Sequence, residues 1–399
     1  MGSSSCQRWM ALVFLVTACG GRTGLDVPGD ACLDVSADCD GDAANGCEVD
    51  LHTSAQHCGA CGVVCEAGLA CSEGACVEGG RIVQLEARTS TQYARTADGR
   101  VFAWGDNRIG QVDPTSAEAL VYTPWQVPLP GPSAEIRAGW ARACSRGADG
   151  AVWCWGMGEP LSKKEGLVGV TKLMADRHGF CTFDAYGGRK CWTTSVPNGL
   201  DVGSGEDADA IMEDVVYGME ALPRPLSFLL PSAAITADGA LITWGHRGTT
   251  GRNTPYGELY ADVGVVTDAH GVIRIDTGEQ AGLCATERHG DILCWGTGFD
   301  EEEHLVPKRF FVDGPYKRAA IGPWMCGLRT DGELRCFDSE FPVLEASQVA
   351  EVSASNTNIC IVTFDGRLMC QGGNTHGGLG QDPAVLPRSS EFVDVAAPP

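Results

Sequence analysis

The chain has 399 residues, with 52 Asp plus Glu against 29 Lys plus Arg and a formal net charge of −23. That balance argues against a broad nucleic-acid-binding surface, which must cluster positive charge to displace counterions. The 53 glycines and the lack of long stretches with helical periodicity point to an all-β chain rich in turns, long enough for two or three domains.

Near the N-terminus, CQRWMALVFLVTACGG carries one cation, Arg8, and an apolar run from Met10 to Ala18. This run falls short of the roughly 20 residues of a membrane-spanning helix, so residues 1–18 read as an export signal. Val16-Thr17-Ala18-Cys19 resembles the bacterial lipobox, where a peptidase cuts before the cysteine and that cysteine receives lipid. The resemblance implies lipidation at Cys19 and, with Gly20 and Gly21 following instead of aspartate, an outer-membrane lipoprotein on the extracytoplasmic side. The competing reading is an ordinary secretory signal ending near Ala18.

An exported chain meets an oxidising compartment, so its 20 cysteines read first as disulfides. Cys6 leaves with the signal and Cys19 takes lipid, which leaves an even 18. Eight of these, Cys32, Cys39, Cys47, Cys58, Cys61, Cys65, Cys71 and Cys76, crowd into residues 19–79 among small and acidic side chains. Apolar residues are too few there for a core, so only cross-links can hold the segment's shape. It reads as a spacer of unknown pairing.

Three other chemistries compete within the spacer. His57, Cys58, Cys61 and Cys65 have zinc-type ligands and spacing, and the Cys58–Cys61 CGAC has redox-motif spacing without a βαβ context. Asp38, Asp40 and Asp42 alternate as in calcium loops, but Val49 stands where an EF-hand loop places its bidentate glutamate. DGDAANGCEVDLHTSAQHCGACGVVCEAGLACSEGAC, from Asp40 to Cys76, resembles a cysteine-rich module of exported proteins in social and predatory Gram-negative bacteria; this implies an extracytoplasmic spacer and no activity.

Residues 80–399 repeat. Seven units begin at Tyr93, Cys144, Cys181, Ala233, Cys284, Cys326 and Cys360. Six positions on, every unit has glycine: Gly99, Gly150, Gly187, Gly239, Gly290, Gly332 and Gly366. Ten positions on stand Ala103, Cys154, Cys191, Thr243, Cys294, Cys336 and Cys370, followed by Trp104, Trp155, Trp192, Trp244, Trp295, Phe337 and Gln371. If Ala148-Asp149-Gly150 is a three-residue hairpin loop, its glycine takes the left-handed conformation and Gly147 faces Ala151. Counting outwards, Cys144 then faces Cys154 at a non-hydrogen-bonded position, where strands approach to about 4.5 Å between Cα atoms. The pairs Cys144–Cys154, Cys181–Cys191, Cys284–Cys294, Cys326–Cys336 and Cys360–Cys370 are therefore predicted cross-strand staples. Where one cysteine is missing, as at Tyr93 and Ala233, its partner is missing too.

A further β-rich run precedes each hairpin (EIRAG, VTKLMA, VIRIDTG, VAEVSAS), so each unit holds three to four strands, as a propeller blade does. The C-terminal EFVDVAAPP reads as the first strand of a unit completed near GRIVQLEARTSTQYARTADG, closing the ring by pairing chain ends. The alternative is a β-solenoid or open array.

TADGRVFAWGDNRIGQ and TFDGRLMCQGGNTHGGLGQ resemble the regulator-of-chromosome-condensation repeat. The match falls on Asp98, Gly99, Trp104, Gly105, Asn107, Gly110 and Gln111, and on Asp365, Gly366, Gly372, Asn374, Gly377, Gly380 and Gln381. The resemblance implies a seven-bladed β-propeller; the middle units lose the Gly-Gln tail, which leaves their outer strands open. Family members exchange guanine nucleotides on a small nuclear GTPase, which the export signal contradicts. Secreted bacterial members clamp proteins, β-lactamases among them, with loops on one face.

No sialidase box, G-x-S-x-G, H-E-x-x-H or Walker loop occurs. No catalytic residue, metal ligand or cofactor is assigned, and His178, His270, His289 and His376 read as solvated. Asn198–Pro231 and Gly298–Phe311 vary most and are expected to be either solvated connections or one recognition surface, joined by Trp125, Trp140 and Trp324. The expected function is non-catalytic binding of an envelope or extracellular protein or glycan, with the lipid as the only membrane contact. The alternative is a carbohydrate-active enzyme. Paired carboxylates with arginines in the propeller mouth would favour the enzyme; a flat or apolar rim would favour binding.

Overall fold

A computed structural model describes residues 36–41, 47, 49–72, 74–140, 142–176, 179–184, 188–193, 226–246, 250–252, 260–278, 282–296, 304–322, 324–337 and 344–396. Cys19, Cys32, Asp42, His178, Gly187 and residues 198–225 and 297–303 lie outside them. Every regular element among the described residues is a β-strand.

Seven antiparallel sheets follow one another along the chain as the blades of a propeller. Their inner strands are Ile82–Arg88, Ser133–Ala138, Val170–Ala175, Leu226–Leu229, Val272–Thr277, Tyr316–Ile321 and Val349–Ala354, and all seven line one axial cavity. Six blades have four strands, including four of the five middle blades that lack the Gly-Gln tail; the third shows three among the described residues.

The hairpin glycine closes its loop and, in several of the described blades, has a second task. Gly147 N–H donates to the Ala151 carbonyl at 2.8 Å and Gly150 N–H to the Gly147 carbonyl at 3.0 Å, which closes a loop with Gly150 at φ 75°. The second task comes from the neighbouring blade. The carbonyls of Gly99, Gly239, Gly290 and Gly332 accept the N–H of Ser133, Val272, Tyr316 and Val349, each near the start of the next inner strand, at 2.8–3.0 Å. A Cβ on Gly150 would lie 2.8 Å from Val170 N, whereas one on Gly366, in the last blade, would meet nothing within 4 Å.

Beyond the loop the register pairs Cys144 with Cys154, and the structure contains the disulfides Cys144–Cys154, Cys181–Cys191, Cys284–Cys294, Cys326–Cys336 and Cys360–Cys370. Their Cα separations of 3.9–4.1 Å reflect the close approach of strands at non-hydrogen-bonded pairs. In the first blade Tyr93 faces Ala103 instead, and its hydroxyl donates to the Gln111 carbonyl at 3.1 Å.

Side chains also bridge neighbouring inner strands. Gln84 exchanges two hydrogen bonds with the Ile136 backbone, Glu135 accepts Leu173 N–H, and Asp276 accepts Ala319 N–H. Lys172 and Lys317 donate to the carbonyls of Ser227 and Ala350. These contacts stand in for the ladder that adjacent blades, splayed apart, cannot form.

The expectation that the chain ends share a blade is corrected. Arg388–Asp394 pairs with Leu368–Gly373 as the outer strand of the seventh blade, and the first blade starts afresh at Ile82. The physical reason lies in the connection between them. Buried Asn374 binds the carbonyls of Gln381 and Leu386 and the N–H of Leu379, folding the chain back onto its own sheet edge and leaving no strand over. The ring closes by packing: Ile82, Leu85 and Trp104 join Val362, Leu379 and Val395 in one core, and Trp104 Nε1–H reaches the Gly378 carbonyl at 3.1 Å.

The spacer has two short hairpins and the disulfides Cys39–Cys61, Cys58–Cys71 and Cys65–Cys76; Cys47 is disulfide-bonded as well. Since Cys58, Cys61 and Cys65 all go to different partners, neither the zinc set with His57 nor a Cys58–Cys61 redox pair forms.

Two outcomes follow for stability. Replacing Cys144 and Cys154 together by alanine should cost about 3 kcal/mol in denaturant unfolding, since the staple closes a short loop. Gly150→Ala should cost roughly 2–4 kcal/mol, combining left-handed strain with the clash against the next blade, while Gly366→Ala should cost only about 1–2 kcal/mol. Equal losses would show that the turn conformation alone sets the requirement for glycine.

Candidate functional site

In an antiparallel four-strand blade, the first and third connections emerge on one face and the hairpin turns with the blade-to-blade links on the other. The spacer meets the turn face. Asp98 N–H donates to the Gly79 carbonyl at 2.9 Å, and Asp50 pairs with Arg146 at 3.3 Å. The opposite, loop face carries the longer connections, including 107–119 and 374–387. Strands Arg189–Thr193 and Ile292–Gly296 end on that face; of the two variable segments, 198–225 and 298–303 lie outside the described residues, while Leu226–Leu229 is an inner strand and His304–Phe311 an outer one.

Around the first two blades the loop face exposes three large apolar side chains among polar ones such as Arg108 and Glu159. Trp140 is 48 % exposed, Ile109 40 % and Met157 37 %. Gly158 N–H donates to the Ile109 carbonyl at 2.8 Å, setting Met157 beside Ile109, and Thr89 Oγ1–H donates to the Trp140 carbonyl at 2.6 Å. Thr89 and Met157 both hold left-handed backbone, at φ 54° and 55°. Such residues persist only where their surroundings impose them, and they concentrate at functional sites. Of the other tryptophans considered, Trp125 and Trp324 pack partly buried against blade cores. His270 is exposed in its turn.

The axis holds a second group that sequence reading did not single out. Arg137 binds Glu86 at 2.8 Å and Glu135 at 2.7 Å, while Arg146 binds Glu135 at 3.3 Å. Across the channel Arg274 binds Asp276 at 2.8 Å and Arg318 binds Glu351 at 3.0 Å. Arg88 spans the mouth on the loop face, donating to the Ala138 carbonyl at 3.1 Å, to the Thr277 carbonyl at 3.0 Å and to the Thr277 hydroxyl. The signal was present as charges at alternate positions in otherwise apolar runs: Glu86 and Arg88, Glu135 and Arg137, Arg274 and Asp276.

These carboxylates are bound in a way that opposes glycosidase chemistry. A general acid needs its carboxyl held protonated near neutral pH. Burial works in that direction at Glu135, but Arg137, Arg146, the Leu173 N–H and Lys172 overcome it and hold the carboxyl below the ordinary glutamate range. Burial likewise disfavours the charge on Arg318, and Asp276, Glu351 and Glu86 more than restore it.

One further cluster sits on a turn. His289 Nε2 lies 3.2 Å from both Glu287 and Asp291, the geometry of a small cation site. Arg309 already answers those carboxylates, at 3.0 Å and 2.7 Å.

The ion pairs at Glu135 predict an acid dependence. A lowered folded pKa adds stability that is complete above the unfolded glutamate value of about 4.3 and lost as pH falls through the folded value. Glu135→Gln should cost roughly 3 kcal/mol at pH 7, since it leaves Arg137 and Arg146 short of a buried partner. The gap from wild type should narrow below about pH 4 in denaturant titrations; a gap independent of pH would refute the ion-pair account.

No family model matches the sequence, and no curated protein matches it. Among solved structures, the fold is similar to Prp20p from Saccharomyces cerevisiae, with a TM-score of 0.54 and 15 % identity over 69 % of this chain and 80 % of that one. Human WBSCR16 superposes at 0.45, with 15 % identity over 80 % and 83 %. The ectodomain of the Physcomitrella patens receptor kinase CR4 superposes at 0.44, with 16 % identity over 72 % of each chain. Prp20p is the yeast RCC1, so the fold is the RCC1-type seven-bladed propeller.

Proposed function

We propose that this chain is a bacterial outer-membrane lipoprotein, anchored by lipid at Cys19, whose propeller binds an envelope or extracellular protein or glycan without catalysis. One observation carries the reading. The spacer joins the turn face, and the opposite loop face exposes the apolar side chains of Ile109, Trp140 and Met157 on a rigid scaffold. Exposed aromatic and sulfur-bearing side chains on a rigid scaffold are the usual anchors of recognition. The similar propeller of Prp20p has binding properties toward Gsp1p and histones, which makes a protein-binding role compatible with the fold. The competing reading, a carbohydrate-active enzyme, finds its best carboxylates tied to arginine in the channel.

The anchor and the face are tested separately. Cells expressing the full chain should incorporate an alkyne-tagged fatty acid into it, and Cys19→Ser should abolish the label and release the protein from membranes. In pull-downs from envelope extracts, Trp140→Glu with Ile109→Glu should remove at least about 1.4 kcal/mol of binding, a tenfold loss of capture, while Val168→Glu on the turn face should leave it unchanged. Equal losses from both faces would reject the loop face. Turnover of a glycan panel without partner capture would favour the enzyme.

A further inference from the structure

The axial channel is a cavity of about 80 Å³, well above the roughly 15 Å³ that admits one water molecule. Its lining has four arginines, Arg88, Arg137, Arg274 and Arg318, against two carboxylates, Glu86 and Asp276. Glu135 and Glu351, just outside the lining, also pair with Arg137 and Arg318, so arginines and carboxylates at the axis balance, four against four. Both lining carboxylates are already engaged, Glu86 by Arg137 and Asp276 by Arg274 and the Ala319 N–H.

Donors remain. Arg318 Nε and Ser353 Oγ are buried and have no hydrogen-bond partner among the described residues, and both residues line this cavity. Ser353 is only 5 % exposed. An unsatisfied buried polar group costs about 1–3 kcal/mol, and more beside charge, so native proteins rarely leave two in one cavity unless something else pairs with them. A guanidinium N–H and a hydroxyl left over in one cavity match the acceptor oxygens of a small anion.

We propose that the axial channel is a binding site for a small oxyanion of the phosphate or carboxylate type, held by Arg318 Nε–H and the Ser353 hydroxyl. The anion completes the hydrogen bonding of Arg318 and Ser353, on the inner strands of the sixth and seventh blades. Arg88 covers it on the loop-face side. This site is distinct from the exposed loop face and does not depend on the chain's being a lipoprotein.

The test titrates the full chain with inorganic phosphate, sulfate or acetate by calorimetry and thermal unfolding, at ionic strength matched with chloride. The expected result is saturable binding near one equivalent by phosphate or acetate, with a rise in melting temperature that chloride does not produce. Ser353→Ala should melt with wild type in chloride, because its hydroxyl has no partner among the described residues, yet bind the anion about five- to tenfold more weakly. Arg318→Met should abolish binding; if it fails to fold, Ser353→Ala decides alone. Absence of saturable binding, or equal affinity in wild type and Ser353→Ala, would overturn the proposal.

Discussion

Seven small sheets set around an axis have no continuous backbone ladder from one to the next, so the ring depends on what crosses each gap. In this chain the main crossing on the turn face is a backbone contact. The carbonyl of a hairpin glycine receives an N–H from the start of the following inner strand, at a distance that leaves no room for a Cβ in most blades. Sheet pairing within each blade and cross-strand disulfides make the hairpin rigid; the glycine contact fixes where the next blade starts.

The same gap is bridged near the axis by longer side chains, and there the solution varies. Amide, carboxylate and ammonium groups each reach the next backbone in different blades, and the arginines that neutralise the carboxylates accumulate in the channel. Buried ion pairs add little net stability against apolar packing, but removing one partner is costly. In a channel built this way, any single charge removal leaves its partner to bear that cost. Two donors in its lining, Arg318 Nε and Ser353 Oγ, are left over by this architecture, and the proposed anion uses them.

The two faces differ for a related reason. Turns that clamp the neighbouring blade must stay short, so variation in length is confined to the opposite ends of the strands. The spacer occupies the constrained face and the exposed apolar side chains the free one.

Much of this was readable from residue spacing. The ten-residue cysteine pairs, with Asp-Gly between and Trp-Gly behind, specify hairpin, register and staple, because pairing geometry is local and counts residues symmetrically about a turn. The number of blades follows from the number of repeats. Tertiary structure alone decided how the ring closes, since Asn374 returns the chain to its own sheet edge only through contacts with residues up to 12 positions away. It also decided that the hairpin glycine is needed for close approach as well as for its backbone angle, and that charges scattered at positions 86, 137, 276 and 318 converge on one axis. Local periodicity reports which face of a strand a side chain occupies; which other strand that face meets is a property of the closed ring.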